Sequence, residues 1–274
     1  MYNTNMTEVI LNNGIPMPIL GLGVYDMHAQ EAEQAVEDAL EIGYRLIDTA
    51  AMYDNEKEIG NAVARSGLKR DGIFVTTKLN NTDHGYDQAL TAFDESLQKL
   101  QMDYVDLYLI HWPIKENRKG SWLALERLYA EKRVRAIGVA NYNIALLEEL
   151  STYANCIPAV NQIEFSPWLY QSDLLRYCKE KGIQVQSYSP LTRGIKFNHP
   201  RLTAVCEKYG KTPAQVVLNW HMRHGISTIP KSVKKQRLQE NLNSASFLLE
   251  AVDVEILDGL DESFRICNDP NEFL

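Results

Sequence analysis

Cysteine is scarce and unpatterned in this chain. Its four cysteines, Cys156, Cys178, Cys206 and Cys267, form no CxxC pair and no metal-ligand spacing. Reduced thiols in a cytoplasm are therefore expected, and no disulfide framework is needed. Long apolar runs are also lacking. None approaches the ~20 residues of a membrane span, and the polar start, Met1 to Glu8, has no signal-peptide core. Positive charge is in deficit: 28 Lys and Arg face 36 Asp and Glu, for a formal net charge of -8. That argues against general nucleic-acid binding. No low-complexity linker interrupts the chain, so one domain spanning 1–274 is expected. His221 and His224, three apart, lack a third ligand, so no metal is expected. Asn5-Met6-Thr7 and Asn80-Asn81-Thr82 match the glycosylation acceptor pattern. Without a secretory route both are read as chance.

What is present is an ordinary globular composition, 45% hydrophobic and 23% charged over 274 residues. That is enough chain to bury a full core without staples. Eight short β-rich runs recur at 19–23, 45–48, 73–77, 105–110, 136–140, 159–163, 183–187 and 226–229. Between them lie helical periodicities at 29–42, 86–100, 121–131, 143–153, 172–181, 200–209 and 212–223. The spacing is about that of a βα unit. Gly43, Gly182, Gly210 and Gly225 mark helix ends, while Ser172-Asp173 and Thr212-Pro213 mark helix starts. Eight such units predict an α/β chain folded as a (β/α)8 TIM barrel. The alternative is a doubly wound open sheet, but its GxGxxG fingerprint is missing: Gly21-Leu22-Gly23 has no third glycine. The segment 8–18, with Asn12-Asn13-Gly14 at its centre, predicts an N-terminal β-hairpin closing one end of the barrel.

In such a barrel chemistry gathers where the strands end. The exits here carry Asp48, Lys78, His111, Asn141, Gln162, Tyr188 and Lys231. Any one of these alone reads first as a hydrogen-bonded rim residue, but the types complement one another. Asp48 and Lys78 can pair across adjacent strands. Tyr53 beside a buried lysine would have its pKa lowered from ~10, giving a usable proton donor. His111 can donate to a substrate oxygen and is the rival donor. Asn141 and Gln162 suit a carboxamide, and Tyr188 can stack a flat ring. Lys231, Lys234, Lys235 and Arg237 put four cations in seven residues at a helix start, a favourable phosphate site or a solvated turn. Together these suggest a reductase using a phosphorylated dinucleotide.

The motifs also carry a resemblance. Residues 43–50 (GYRLIDTA) with Tyr53, Asn55 and Glu56, then 75–79 (VTTKL), 106–113 (DLYLIHWP) and 229–233 (IPKSV), occur in the order of the aldo-keto reductase signatures. The chain resembles that superfamily from about Val9 to the 269–273 tail. It is nearest the short microbial branch that includes 2,5-diketo-gluconate reductases and protozoan prostaglandin F synthases. The resemblance implies that Tyr53 is the general acid, tuned by Lys78 and Asp48, and that His111 orients the carbonyl. It implies NADPH/NADP+ as cofactor, with Asn141, Gln162 and Tyr188 at the nicotinamide and Ser189 and Leu191 at the pyrophosphate. Lys231, Ser232, Val233, Lys234 and Arg237 would hold the 2′-phosphate, with Glu240 and Asn241 at the adenine. Tyr25 and Trp112 would line the substrate pocket.

Three departures stand out. Ala140 replaces the serine usual before Asn141, and Thr192, followed by Arg193, replaces the glycine usual after Ser-Pro-Leu. The segments 114–121 and the tail after Phe264 are short, so a more open pocket is expected. The expected activity is NADPH-dependent reduction of aldehydes and ketones by a cytoplasmic monomer acting on small-molecule carbonyl substrates. The rivals are a cofactor-sensing binding protein on the same fold and a phosphosugar isomerase or aldolase.

Overall fold

A computed structural model describes residues 8–273; Asn5-Met6-Thr7 lies outside them. The chain opens with β1 (Glu8–Ile10) and β2 (Pro16–Pro18), paired antiparallel with Val9 opposite Met17. Asn12 and Asn13 at the turn donate to the carbonyls of Pro158 and Arg135, at 3.1 and 2.9 Å. The hairpin is thereby tied across the end where strands begin, as expected.

Eight parallel strands follow: β3 (Leu22–Gly23), β4 (Leu46–Asp48), β5 (Phe74–Leu79), β6 (Val105–Ile110), β7 (Val134–Ala140), β8 (Val160–Glu164), β9 (Gln184–Tyr188) and β10 (Ser227–Thr228). All eight predicted runs became strands. Each pairs with its sequence neighbour, and a parallel bridge between Leu20 and Thr228 joins the two edge strands. Thr228 donates its N–H to Ile19 and accepts from Gly21, both at 2.8 Å. The sheet is a closed (β/α)8 barrel, which removes its edges. Sequential strand order excludes the doubly wound alternative.

The helices are α1 (Ala29–Ile42), α2 (Glu56–Arg65), α3 (Tyr86–Leu100), α4 (Arg118–Ala130), α5 (Ile144–Ser151), α6 (Ser172–Glu180), α7 (Pro200–Tyr209), α8 (Pro213–Arg223), α9 (Lys235–Leu242) and α10 (Ala251–Asp258). The periodicities found α1, α3 and α7 at their observed bounds. At α8 the hydroxyl of Thr212 accepts from the N–H of Gln215, whose side chain reaches back to Thr212, and Pro213 opens the first turn. Gly43 ends α1 at φ 115°, a conformation costly for any residue with a Cβ.

Helices α2 and α10 carried no recognised pattern. Helix α2 buries Ile59, Ala62 and Val63 on one face together with Gly60, whose missing Cβ lets the backbone of Leu100 approach: an added carbon would sit 2.3 Å from its carbonyl oxygen. That short stripe, interrupted by glycine, did not stand out in the sequence.

The strands β5 and β6 are buried along their whole length, as a parallel sheet covered by helices requires. The one carboxylate among them, Asp106, accepts from Arg70 and Arg135, both at 2.7 Å, and from the N–H of Val75 at 2.9 Å. This neutralises a charge that burial would otherwise make costly. Among the described residues no helix is long and apolar enough to cross a membrane. The four cysteines are free.

Candidate active site

The strands β4, β5, β6, β7, β8 and β9 end on one rim, around a cleft of about 790 Å³. Asp48 is the last residue of β4, and Lys78 lies near the end of β5, both almost fully buried. The Lys78 ammonium donates to Asp48 Oδ1 at 2.5 Å, to the carbonyl of Thr49 at 2.9 Å and to the Tyr53 hydroxyl at 3.3 Å. Three donors meet three acceptors, which fits the charged form of the amine. Burial pushes the Asp48 carboxyl up and the Lys78 amine down, and each is opposed by its partner's charge.

Tyr53 sits on a tight turn (Ala51–Tyr53) after β4. Asn55, fully buried, fixes that turn. Its amide donates to the carbonyls of Val24 and Met27, both at 2.9 Å, and its oxygen accepts from Thr49 Oγ1 at 2.6 Å. The same anchor holds the loop bearing Tyr25, whose ring meets Tyr53 edge-on with centroids 5.2 Å apart. The hydroxyl of Tyr53 accepts from Lys78 and lies 3.5 Å from Nε2 of His111.

The expectation of a lowered tyrosine pKa is not met. Burial, reinforced by the Asp48 charge, pushes the Tyr53 phenol well above its usual range. The hydroxyl therefore keeps its proton at neutral pH. His111 moves the other way: burial, then the Lys78 charge, holds it well below the usual imidazole range. It is neutral at pH 7 and has no imidazolium proton to give, which weakens its claim as the rival donor.

The residues expected at a flat ring converge too. Asn141 donates to the carbonyl of His111 at 2.9 Å and accepts from the Tyr188 hydroxyl at 2.7 Å. Gln162 gives one amide hydrogen to Asp48 Oδ2 and the other to Gln186, both at 2.7 Å. All three, with Tyr25 and Trp112, line the cleft. The loop after β9 brings Ser189 and Leu191 to it. There Ser189, Thr192 and Arg193 hold φ of 49°, 47° and 52°. Thr192 thus takes the left-handed conformation that a glycine would adopt without strain.

The basic cluster is only partly brought to the cleft. Lys231 lines it, but its ammonium is held by Asp26, with the carbonyl at 2.6 Å and Oδ2 at 3.3 Å. Lys235 turns to Glu41 and Asp38. Lys234 and Arg237 stand exposed at the start of α9, beside Ser232 and Val233. These four lie outside the cleft lining, as do Glu240 and Asn241. Glu240 accepts from Thr212 Oγ1 at 2.6 Å, and Asn241 is buried. The segment 114–121 contributes nothing to the lining either.

Sequence reasoning missed Asp26, Met52, Ile266, Cys267 and Asn268 as cleft residues, and noted Arg193 only as a departure. The 266–268 stretch carries no motif. It reaches the cleft because Glu262 and Phe264 donate to the carbonyl of Trp168, at 3.2 and 2.9 Å, and lead the tail back over the rim. His221, weighed as a metal ligand, is buried against the carbonyls of Val217 and Phe165. Among the described residues no group of His, Cys, Asp and Glu could hold a metal ion.

Comparison with known proteins places this constellation. The Aldo/keto reductase family profile matches residues 19–262. The chain is 46% identical to a glyoxal reductase of Bacillus subtilis (strain 168), with 99% of each covered. It is 45% identical to a 9,11-endoperoxide prostaglandin H2 reductase of Trypanosoma cruzi (strain CL Brener), covering 99% of this chain and 97% of that one. The solved Bombyx mori aldo-keto reductase in complex with NADP superposes with a TM-score of 0.89 at 34% identity, covering 96% of this chain and 95% of that one. With its barrel, its Asp48–Lys78–Tyr53–His111 cluster and these relatives, the chain belongs to the Aldo/keto reductase family.

Proposed function

We propose that this oxidoreductase reduces aldehydes and ketones to alcohols with NADPH, and that Tyr53 supplies the proton. The observation that carries the reading is the single Lys78 ammonium bonded at once to Asp48, Thr49 and Tyr53. Because the Tyr53 oxygen accepts from Lys78, its own O–H is left to donate elsewhere. A substrate oxygen within reach of that hydroxyl and of His111 Nε2 would accept two hydrogen bonds, which strengthen as negative charge builds on it. Lys78 is placed to stabilise the phenolate as the proton leaves.

The residues present fit the cofactor. The buried amides of Asn141 and Gln162 and the ring of Tyr188 suit a nicotinamide carboxamide and its plane, and the bound dinucleotide would supply the hydride. The start of α9, with Ser232, Val233, Lys234 and Arg237 beside Lys231, suits a 2′-phosphate. The relatives named for glyoxal and for a prostaglandin endoperoxide differ widely in substrate size. This agrees with a permissive pocket, bounded by Tyr25, Trp112 and the tail, for small and aromatic aldehydes and dicarbonyls. We place the protein as a cytoplasmic monomer.

Tyr53→Phe tests the reading. Turnover at saturating NADPH should fall ~100- to 10,000-fold, with NADPH affinity nearly unchanged. Activity within about tenfold of the parent would move the role to His111.

A further inference from the structure

Glu164 closes β8, two residues after Gln162, and is only 3% exposed. A carboxylate that buried needs compensation. Its hydrogen-bond donors are backbone groups of the tail: Oε1 accepts from the N–H of Ile266 at 2.6 Å and Oε2 from the N–H of Cys267 at 3.0 Å. Those two residues, with Asn268, form one wall of the cleft. Upstream the tail is pinned at Trp168, and downstream Asn143 donates to Asn271 at 2.8 Å. Between these pins the strap 266–268 meets the barrel through this carboxylate and through the Cys267 thiol beside Tyr188 and Ser189. Burial raises the Glu164 carboxyl, while the two N–H bonds and the charges of Arg265 and Arg193 oppose that rise.

We propose that Glu164 is a positioning residue that latches the strap 266–268 down as a wall of the cleft and thereby sets the KM for the carbonyl substrate. Both carboxylate oxygens are used, one per tail N–H, so those two hydrogen bonds exist only while the strap is seated. With the strap lifted, the substrate loses one side of its pocket, whereas Tyr53, Lys78 and His111 are held on β4, β5 and β6 or just after them and stay in place. The inference rests on the reading of the cleft as the site of carbonyl reduction.

Glu164→Gln keeps the shape but turns an NH2 toward a backbone donor. Amide hydrogen exchange at Ile266 and Cys267 should accelerate by about tenfold or more. KM for a carbonyl substrate should rise about tenfold, with kcat at saturation within about twofold. Ile266→Pro removes one donor without touching the buried carboxylate and should give the same split, which guards against a misfolded Glu164 variant. Unchanged exchange at the Cys267 amide in both variants would overturn the latch. Faster exchange with an unchanged KM would overturn the strap as a substrate wall. A parent protein without NADPH-dependent carbonyl turnover would overturn the reading of the cleft itself, while the exchange rates would still decide whether Glu164 holds the strap.

Discussion

Gln162 donates to Oδ2 of Asp48 at 2.7 Å, on the carboxylate whose other oxygen holds Lys78. One amide thus spans the expected ring site and the ion pair behind Tyr53. With its second hydrogen on Gln186, the Gln162 oxygen is what it can offer a carboxamide. Gln162→Leu should therefore injure binding and chemistry together. A hydrogen bond to a charged group contributes about 1.5–3 kcal/mol, so turnover should fall at least ~10-fold. NADPH affinity should weaken as well. Fluorescence titration with NADPH and turnover at saturation separate the two effects, and loss of one alone would show that the amide does not couple them.

Arg237→Ala should weaken NADPH and leave NADH nearly unchanged. Arg237 is exposed at the start of α9, where its charge is available to a 2′-phosphate. A charge-assisted bond of about 1.5–3 kcal/mol corresponds to ~10- to 100-fold in dissociation constant at low salt. Equal loss for both cofactors would remove Arg237 from the phosphate grip.

Acid should destabilise the fold in a defined window. Burial holds His84 and His221 down to about 4, against 6.5 in an unfolded chain. Folded pKa values below unfolded ones mean that the unfolded state binds more protons between them. The stability these histidines contribute is thus complete above about pH 6.5 and is lost as pH falls toward 4. Each contributes at most about 3 kcal/mol. His84→Gln should flatten the fall in melting temperature across that window, and an unaltered slope would contradict the assignment.

Asn55→Ala should cost about 3 kcal/mol or more in unfolding free energy. It removes three buried hydrogen bonds and leaves the carbonyls of Val24 and Met27 without that donor. It should also lower turnover, since Asn55 fixes the turn bearing Tyr53. Urea unfolding and turnover on the same sample check both. A stable but slow variant would mean that the anchor serves position more than folding.

Much of this was legible because period and punctuation agreed. Strands buried on both faces read as short apolar runs, and Gly43, Gly210 and Thr212-Pro213 fixed helix ends. Asp48, Tyr53, Lys78 and His111 were legible because strand ends are where a barrel gathers polar groups. The direction of the Tyr53 pKa was not legible. It depends on how deeply the phenol and Asp48 are buried, which no spacing reveals. The Asp26–Lys231 pair and the return of 266–268 to the cleft join residues far apart in the chain, through contacts that carry no local pattern. Helix α2 escaped because its apolar stripe, Ile59, Ala62 and Val63, is short and broken by Gly60.

The close approach of Leu100 at Gly60 has a mutational consequence. Position 60 lies on the outer helical layer, remote from the reacting groups, where substitutions ordinarily drift. A side chain there would meet the Leu100 carbonyl and lever α2 away from α3. The amino end of α2 follows directly from Asn55 and the Tyr53 turn. A mutational scan should therefore find position 60 intolerant of side chains, with no catalytic group beside it.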